Sequence, residues 1–186
     1  PPLIFLDFQS RQILPIAVDM RRVEHIGYTA APDIVHEAAG HAPMLVDPAY
    51  RSYLLHYAKM AKKAIYSKED SLLYEAIRSL SDKKENRIYS KEEIKKAEEE
   101  FIDAAKKVTW TSEATQAARM SWWTVEYGLI LEDSLPKIYG AGLFSSLMES
   151  RAALSKKVEK RKLSLACIDQ GYDITKPQPQ LYLAES

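Results

Sequence analysis

A chain of 186 residues is long enough for one domain with its own core, and its 46% hydrophobic and 28% charged content is that of an ordinary globular protein. Lysine plus arginine and aspartate plus glutamate balance at 26 each, so no net charge argues for nucleic acid or an anionic membrane as partner. The single cysteine, Cys167, excludes an intrachain disulfide. With no secretory signal and no apolar run near the ~20 residues of a membrane helix, a cytoplasmic setting is expected.

The chain opens PPLIFLDFQ, apolar from its third residue and without an initiator methionine, which fits a copy truncated at its N-terminus. Residues 3–8 and 13–18 are short apolar runs of strand length. From Pro32 the pattern turns helical: proline suits a first turn, and Asp33 places negative charge at the positive end of the helix dipole. Pro43 is expected to stop this helix just after His41. Next, Tyr50, Leu54, Tyr57 and Ala61 recur along one side of a second helix. Residues 62–108 are rich in lysine and glutamate. There Ser90 and Glu93 have capping-box spacing, Glu92 and Lys96 form an i,i+4 pair, and Ile94, Ala97, Phe101, Ala104 and Val108 mark one apolar face. This reads as amphipathic helix with a solvated charged face. TSEATQAARMSWWTVEYGLILED is helical up to about Gly128, and IYGAGLFSS gives a turn leading into a further helix. The proline-containing tail suits extended backbone or a small edge ribbon. The fold class is mainly α with a few short strands.

Two residues in this plan carry metal-ligand chemistry within one short motif, PDIVHEAAGH. His36 and His41 are five apart, not the four of the H-E-x-x-H zinc proteases. At about 100° per residue they diverge by roughly 140° on an unbroken α-helix. A helix ending there, bracketed by Gly40 and Pro43, would let His41 turn back towards His36. Two imidazoles suit zinc, iron, copper or nickel. Glu126, alone in SWWTVEYGLIL, is costly to bury unless something positive answers it. That answer is either Arg119 or a metal ion shared with the histidines. The second option makes a two-histidine, one-carboxylate face, the donor set of non-heme iron(II) oxygen chemistry.

PDIVHEAAGH, then WWTVEYGL, IYGAGLFSS and QLYLAES, in that order, resemble the tetrahydropterin-dependent aromatic amino acid hydroxylases, with phenylalanine hydroxylase the nearest member. The resemblance covers about residues 5–58 and 112–186. It implies a single catalytic domain over 1–186 with a helical-basket fold, incomplete at its N-terminus and interrupted by a charged helical insertion at about 62–108. It further implies iron(II) on His36, His41 and Glu126, and a tetrahydropterin against Phe5 and Glu37. Arg21 would clamp the amino acid carboxylate, and Thr29, Pro32 and Ser145 would line the substrate. Trp122 and Tyr127 would wall the side-chain pocket. Asp33 and Ser145 are candidates to orient the histidines. Ser121 stands where the family has a tyrosine. Tyrosine hydroxylases carry aspartate at the position of Ile174, and tryptophan hydroxylases tend to carry phenylalanine at that of Trp122. L-phenylalanine, hydroxylated to L-tyrosine with O2, is therefore the expected substrate. Alternatives are a tryptophan hydroxylase-like activity, a zinc hydrolase with Glu37 as base, and a non-catalytic helical interaction module with a vestigial metal site.

Overall fold

The computed structural model describes residues 20, 21, 23, 32–85, 88–174 and 176–185. Phe5, Thr29 and the apolar runs 3–8 and 13–18 lie outside the described residues. The chain divides into two compact units, one built from residues up to Lys63 and from Ala117 onward, the other from Ala64–Gln116.

The first unit begins with a helical segment in which His36–His41 are π-helical, continuing through Ala42–Met44. This corrects the expectation that the helix ends at His41. Pro43 does not terminate it, because proline sits in the first turn of the following α segment, where a missing N–H costs nothing. Helix α1 (Pro48–Ala61) follows, capped by Asp47, whose carboxylate accepts from the Tyr50 amide at 2.8 Å. Its Tyr50, Tyr57 and Ala61 are buried, as their spacing implies.

The second unit holds α2 (Lys68–Glu85) and α3 (Lys91–Lys107), packed on one another around Leu80, Ala97 and Ala104. The Ser90–Glu93 capping box is formed in both directions. Lys96 pairs with Glu100 at 4.0 Å rather than with Glu92, and Lys84 reaches Glu98 at 3.0 Å. The Asp70 carboxylate accepts from the Ser67 amide at 2.8 Å and the Thr115 hydroxyl at 2.7 Å, tying the start of α2 to the 112–115 turn.

Helix α4 (Glu113–Ser121) leads into a second π-helical segment, Trp122–Glu126, where the Tyr127 amide donates to the Trp122 carbonyl at 2.8 Å. Gly128 ends the helix as expected, but the apolar residues after it form strand β1 (Gly128–Glu132). Strand β2 (Leu135–Ile138) returns antiparallel through Asp133 and Ser134, both at positive φ, a tight two-residue hairpin turn. Helices α5 (Ala141–Ser145) and α6 (Leu147–Leu154) come next, then β3 (Glu159–Lys162) and β4 (Gln180–Glu185). The sheet order is β2-β1-β4-β3, with β4 parallel to both its neighbours. The tail is thus an interior strand, not an edge ribbon. Trp123, Leu129, Leu143, Leu181 and Tyr182 form the core beneath this sheet.

Candidate metal centre

The π-helical turn solves the spacing problem that an α-helix poses. A π-helix closes its turn with i→i+5 hydrogen bonds, so residues five apart stand one above the other. His36 and His41 accordingly bring their Nε2 atoms to 3.1 Å. The helix carrying the third donor makes the same kind of turn just before delivering Glu126. One carboxylate oxygen then lies 3.3 Å from His36 Nε2 and the other 3.4 Å from His41 Nε2. Arg119, the other candidate partner for Glu126, instead donates to the carbonyls of Ile168 at 3.2 Å and Asp169 at 3.3 Å.

Helix α5 is the bracket that holds the two ligand-bearing segments, for it packs against both. A Cβ added to Gly40 would stand 2.7 Å from the Ala141 Cβ and 2.8 Å from that residue's Cα and carbonyl oxygen. One added to Gly140 would meet the Glu126 carbonyl oxygen at 2.4 Å. Both glycines are therefore needed for close backbone approach. Gly40 serves this contact and not the helix ending its position suggested. At the far end of α5, the Ser145 hydroxyl donates to the Gly142 carbonyl at 3.3 Å and lies 2.9 Å from Nδ1 of His36. With its proton engaged, Ser145 accepts from Nδ1–H, which leaves the electron pair of His36 on Nε2.

Asp33 supports the same corner. Its carboxylate accepts from the His36 amide at 2.9 Å, from Arg21 Nε at 2.8 Å and from Arg21 Nη2 at 2.6 Å. The Arg21 amide adds a fourth bond at 2.9 Å, and Arg21 Nη1 donates to the Ser145 carbonyl. Burial by itself raises the Asp33 carboxyl, but these hydrogen bonds and the Arg21 charge outweigh it and hold the group below the usual range. Glu126 behaves likewise: burial opposes its ionisation, and hydrogen bonds and charge from His36 and His41 overcome that and keep it ionised. Burial disfavours a charged His41, yet Glu126, with help from Glu37, raises its affinity for a proton.

The donor set suits one metal ion. Ligands about 2.1 Å from a common ion and at right angles to one another stand about 3 Å apart, close to the separations here. Two imidazole nitrogens facing each other at 3.1 Å are held either by a hydrogen bond from one to the other or by a cation between them. His36 is buried, whereas the His41 and Glu126 side chains keep 25% and 22% of their surface exposed, so the cluster opens on their side.

The remaining expected site residues are more dispersed. Glu37 is half-buried beside His36, and Pro32 is exposed just before Asp33. Trp122 is sandwiched between Tyr127 (ring centroids 4.5 Å) and Tyr172 (4.2 Å, near parallel). The Tyr127 hydroxyl donates to buried Glu149 at 2.9 Å. Ile174 is half-buried in the loop after Tyr172. An open groove of about 460 Å³ is lined by Arg21, Val35, Phe144, Ser145 and Leu147 among others. Sequence reading missed Gly140, Tyr172 and Glu149. The first two sit in recognisable blocks, YGAGL and DQGYD, but Glu149 looks like any surface glutamate of a short helix.

The model of the family described as biopterin-dependent aromatic amino acid hydroxylase matches residues 102–186, the stretch that contains Glu126. In that stretch the chain is similar in sequence to that class. Among individual proteins the chain is similar to phenylalanine-4-hydroxylases and to the tyrosine 3-monooxygenase of Drosophila melanogaster, 32% identical over 99% of this chain and 23% of the relative; the Pseudomonas aeruginosa phenylalanine-4-hydroxylase is 27% identical over 151 residues, 81% of this chain and 40% of the relative. The rat phenylalanine-4-hydroxylase is 33% identical over 86% of this chain and 25% of its own length. A solved structure of the Chromobacterium violaceum phenylalanine hydroxylase, with bound iron(III) and 7,8-dihydrobiopterin, covers the whole of this chain and 53% of its own, with a TM-score of 0.66 and 22% identity. At that identity the likeness is one of fold. The chain spans less than half the length of the curated relatives it matches. Among the described residues, no helix is long and apolar enough to cross a membrane.

Proposed function

We propose that this chain carries the metal-binding part of a pterin-dependent aromatic amino acid hydroxylase, with L-phenylalanine as substrate and L-tyrosine as product. The observation that carries the reading is the convergence of His36, His41 and Glu126 from distant parts of the chain onto one point. Iron(II) bound there, with a reduced pterin and O2, supplies an oxidant strong enough to hydroxylate an aromatic ring. The chain's own contribution is placement. Ser145 fixes the tautomer that aims His36 Nε2 at the ion, and Asp33 holds the backbone at the same residue. The ionised Glu126 would complete a two-histidine, one-carboxylate donor set for the ion.

Arg21 is the candidate clamp for the amino acid. A guanidinium has five N–H donors, and the bonds to Asp33 and Ser145 take three. The other two can pair with a substrate carboxylate in the groove that Arg21 lines. Asp33 keeps that fork oriented. Trp122, stacked on both faces, is rigid enough to serve as a wall, with Tyr127 and Ile174 as further pocket residues, and Glu37 is the candidate contact to the pterin. A rigid indole wall with apolar Ile174 favours phenylalanine over tyrosine and over the larger tryptophan ring. The proposed setting is cytoplasmic, with a small aromatic amino acid and O2 as partners.

Product analysis tests this reading directly. Anaerobically iron-loaded protein, given tetrahydropterin, L-phenylalanine and air, is expected to form L-tyrosine, with less turnover of L-tryptophan and none with zinc in place of iron. Failure to form L-tyrosine with iron, together with hydrolysis of a model ester or amide by the zinc-loaded protein, would identify a hydrolase-type centre instead.

A further inference from the structure

Ser-x-x-Glu opens both α3 and α6, with different outcomes. At α3 the exposed Glu93 reaches back to the Ser90 amide at 2.8 Å and closes a capping box. At α6 the Ser146 hydroxyl still caps the helix, accepting from the Glu149 amide at 3.4 Å. The Ser146 amide, however, donates to the Leu143 carbonyl at 3.4 Å and makes no use of Glu149. The Glu149 carboxylate instead accepts from the Tyr127 hydroxyl at 2.9 Å. Both partners are buried, Glu149 at 5% exposure and Tyr127 at 7%. Burial pushes the Glu149 carboxyl up, and the Tyr127 and Ser146 hydroxyls pull it back only in part. Capping does not explain a buried acid held at such a cost; the bond to Tyr127 does.

Tyr127 is the residue after Glu126, joined to it by one planar peptide. Its amide closes the π-helical turn on the Trp122 carbonyl at 2.8 Å, and its ring stacks on Trp122 at 4.5 Å. The ring also lies against α5, where a Cβ added to Gly142 would stand 2.8 Å from Tyr127 Cε2 and 3.0 Å from the Glu126 carbonyl oxygen. Stacking and packing let a flat ring slide in its own plane, and a directional bond at the phenol tip sets where it stops. We propose that Glu149 is a positioning residue of the metal centre. By holding the Tyr127 hydroxyl it fixes the end of the π-helical turn, and with it the direction in which Glu126 offers its carboxylate to the ion. The inference rests on the metal reading of His36, His41 and Glu126. That reading needs such a fix, because Glu126 stands evenly placed, 3.3 Å from one Nε2 and 3.4 Å from the other, and a small swing of its backbone would favour one over the other.

Cobalt(II) alone is the probe, because its visible spectrum reports how its ligands are arranged as well as whether it binds. Wild type, Glu149→Gln, Glu149→Leu, Tyr127→Phe, the double variant Tyr127→Phe/Glu149→Leu, Tyr57→Phe and Glu126→Ala are titrated at a temperature where each is folded. Affinity is then read independently of stability. Glu149→Leu and Tyr127→Phe are each expected to weaken cobalt binding by about tenfold and to alter the spectrum, and the double variant to lose no more than either alone. Glu149→Gln keeps an acceptor for the Tyr127 hydroxyl and stays within about twofold of the wild type. Tyr57→Phe removes another buried phenol's bond, to the Ala117 carbonyl at 2.7 Å, and loses stability with affinity unchanged. Wild-type affinity and spectrum in Tyr127→Phe would reduce Glu149 to a core contact and overturn the proposal, as would a Glu149→Gln variant as weak as Glu149→Leu. Should Glu149→Leu fail to fold, Tyr127→Phe and Glu149→Gln decide the matter. A wild type that binds cobalt no better than Glu126→Ala overturns the metal reading itself, and this inference with it.

Discussion

The hydroxyl of Ser145 and the carbonyl of the same residue serve different partners. Oγ accepts from His36 Nδ1, and the backbone oxygen accepts from Arg21 Nη1. Ser145→Ala keeps the second contact and removes only the first. The ring of His36 then loses the bond that selects its tautomer, and iron(II) affinity is expected to fall about 10- to 100-fold. Titration of metal-free protein with iron(II) under nitrogen checks this, and an unchanged affinity would mean that packing alone orients the ring. Asp33 is the neighbouring case. Its side chain is 6% exposed and that of Arg21 is 8%, so Asp33→Ala leaves a buried cation unanswered and is expected to cost about 3–5 kcal/mol. The sign with pH follows from the lowered carboxyl. A group held below its unfolded value near 3.9 contributes in full above that value and loses its contribution as pH falls through the folded one. Urea midpoints for the wild type should therefore drop below about pH 4, with a shallower drop in Asp33→Ala.

At the scale of elements, the centre depends on two π-helical turns and the short helix α5 between them. A side chain at position 40 would run into backbone atoms of Ala141, which cannot rotate away. Gly40→Ala is expected to destabilise the protein by about 1–3 kcal/mol and to weaken metal binding, read by calorimetry and the same titration. A variant with wild-type melting and affinity would mean that α5 does not brace the histidine turn. These turns mark where sequence reading stops. The donors were legible: two histidines in six residues and one acidic residue in an apolar stretch are chemically conspicuous. The way they meet was not. An i→i+5 turn uses the same residues as an α-helix, and nothing in EAAG distinguishes them, so the spacing suggests a helix ending where an extra residue per turn does the work. Nor was the sheet order legible. Strand β3 reads EKRK, with no apolar alternation, yet it pairs with an apolar interior strand.

At the scale of the whole molecule, the lysine- and glutamate-rich stretch folds as a compact unit over Ala64–Gln116, and the chain on either side of it forms the other. The capping box and apolar spacing of that stretch were visible in the sequence because they are local. Its boundaries were less so, since the Ile65 amide bonds the Glu113 carboxylate at 3.0 Å and the Ala114 amide bonds the Ile65 carbonyl at 3.1 Å, a closure between distant residues. The donors of the metal centre all fall in the other unit, and on them the account depends. Binding to the folded form alone stabilises it, by about 2.7 kcal/mol at a hundredfold excess over the dissociation constant. The most direct test is therefore an anaerobic iron(II) titration of wild type and Glu126→Ala, followed by calorimetry. One ion per chain and a rise in melting temperature are expected for the wild type, with loss of both in the variant. Undiminished binding by Glu126→Ala would contradict the metal reading.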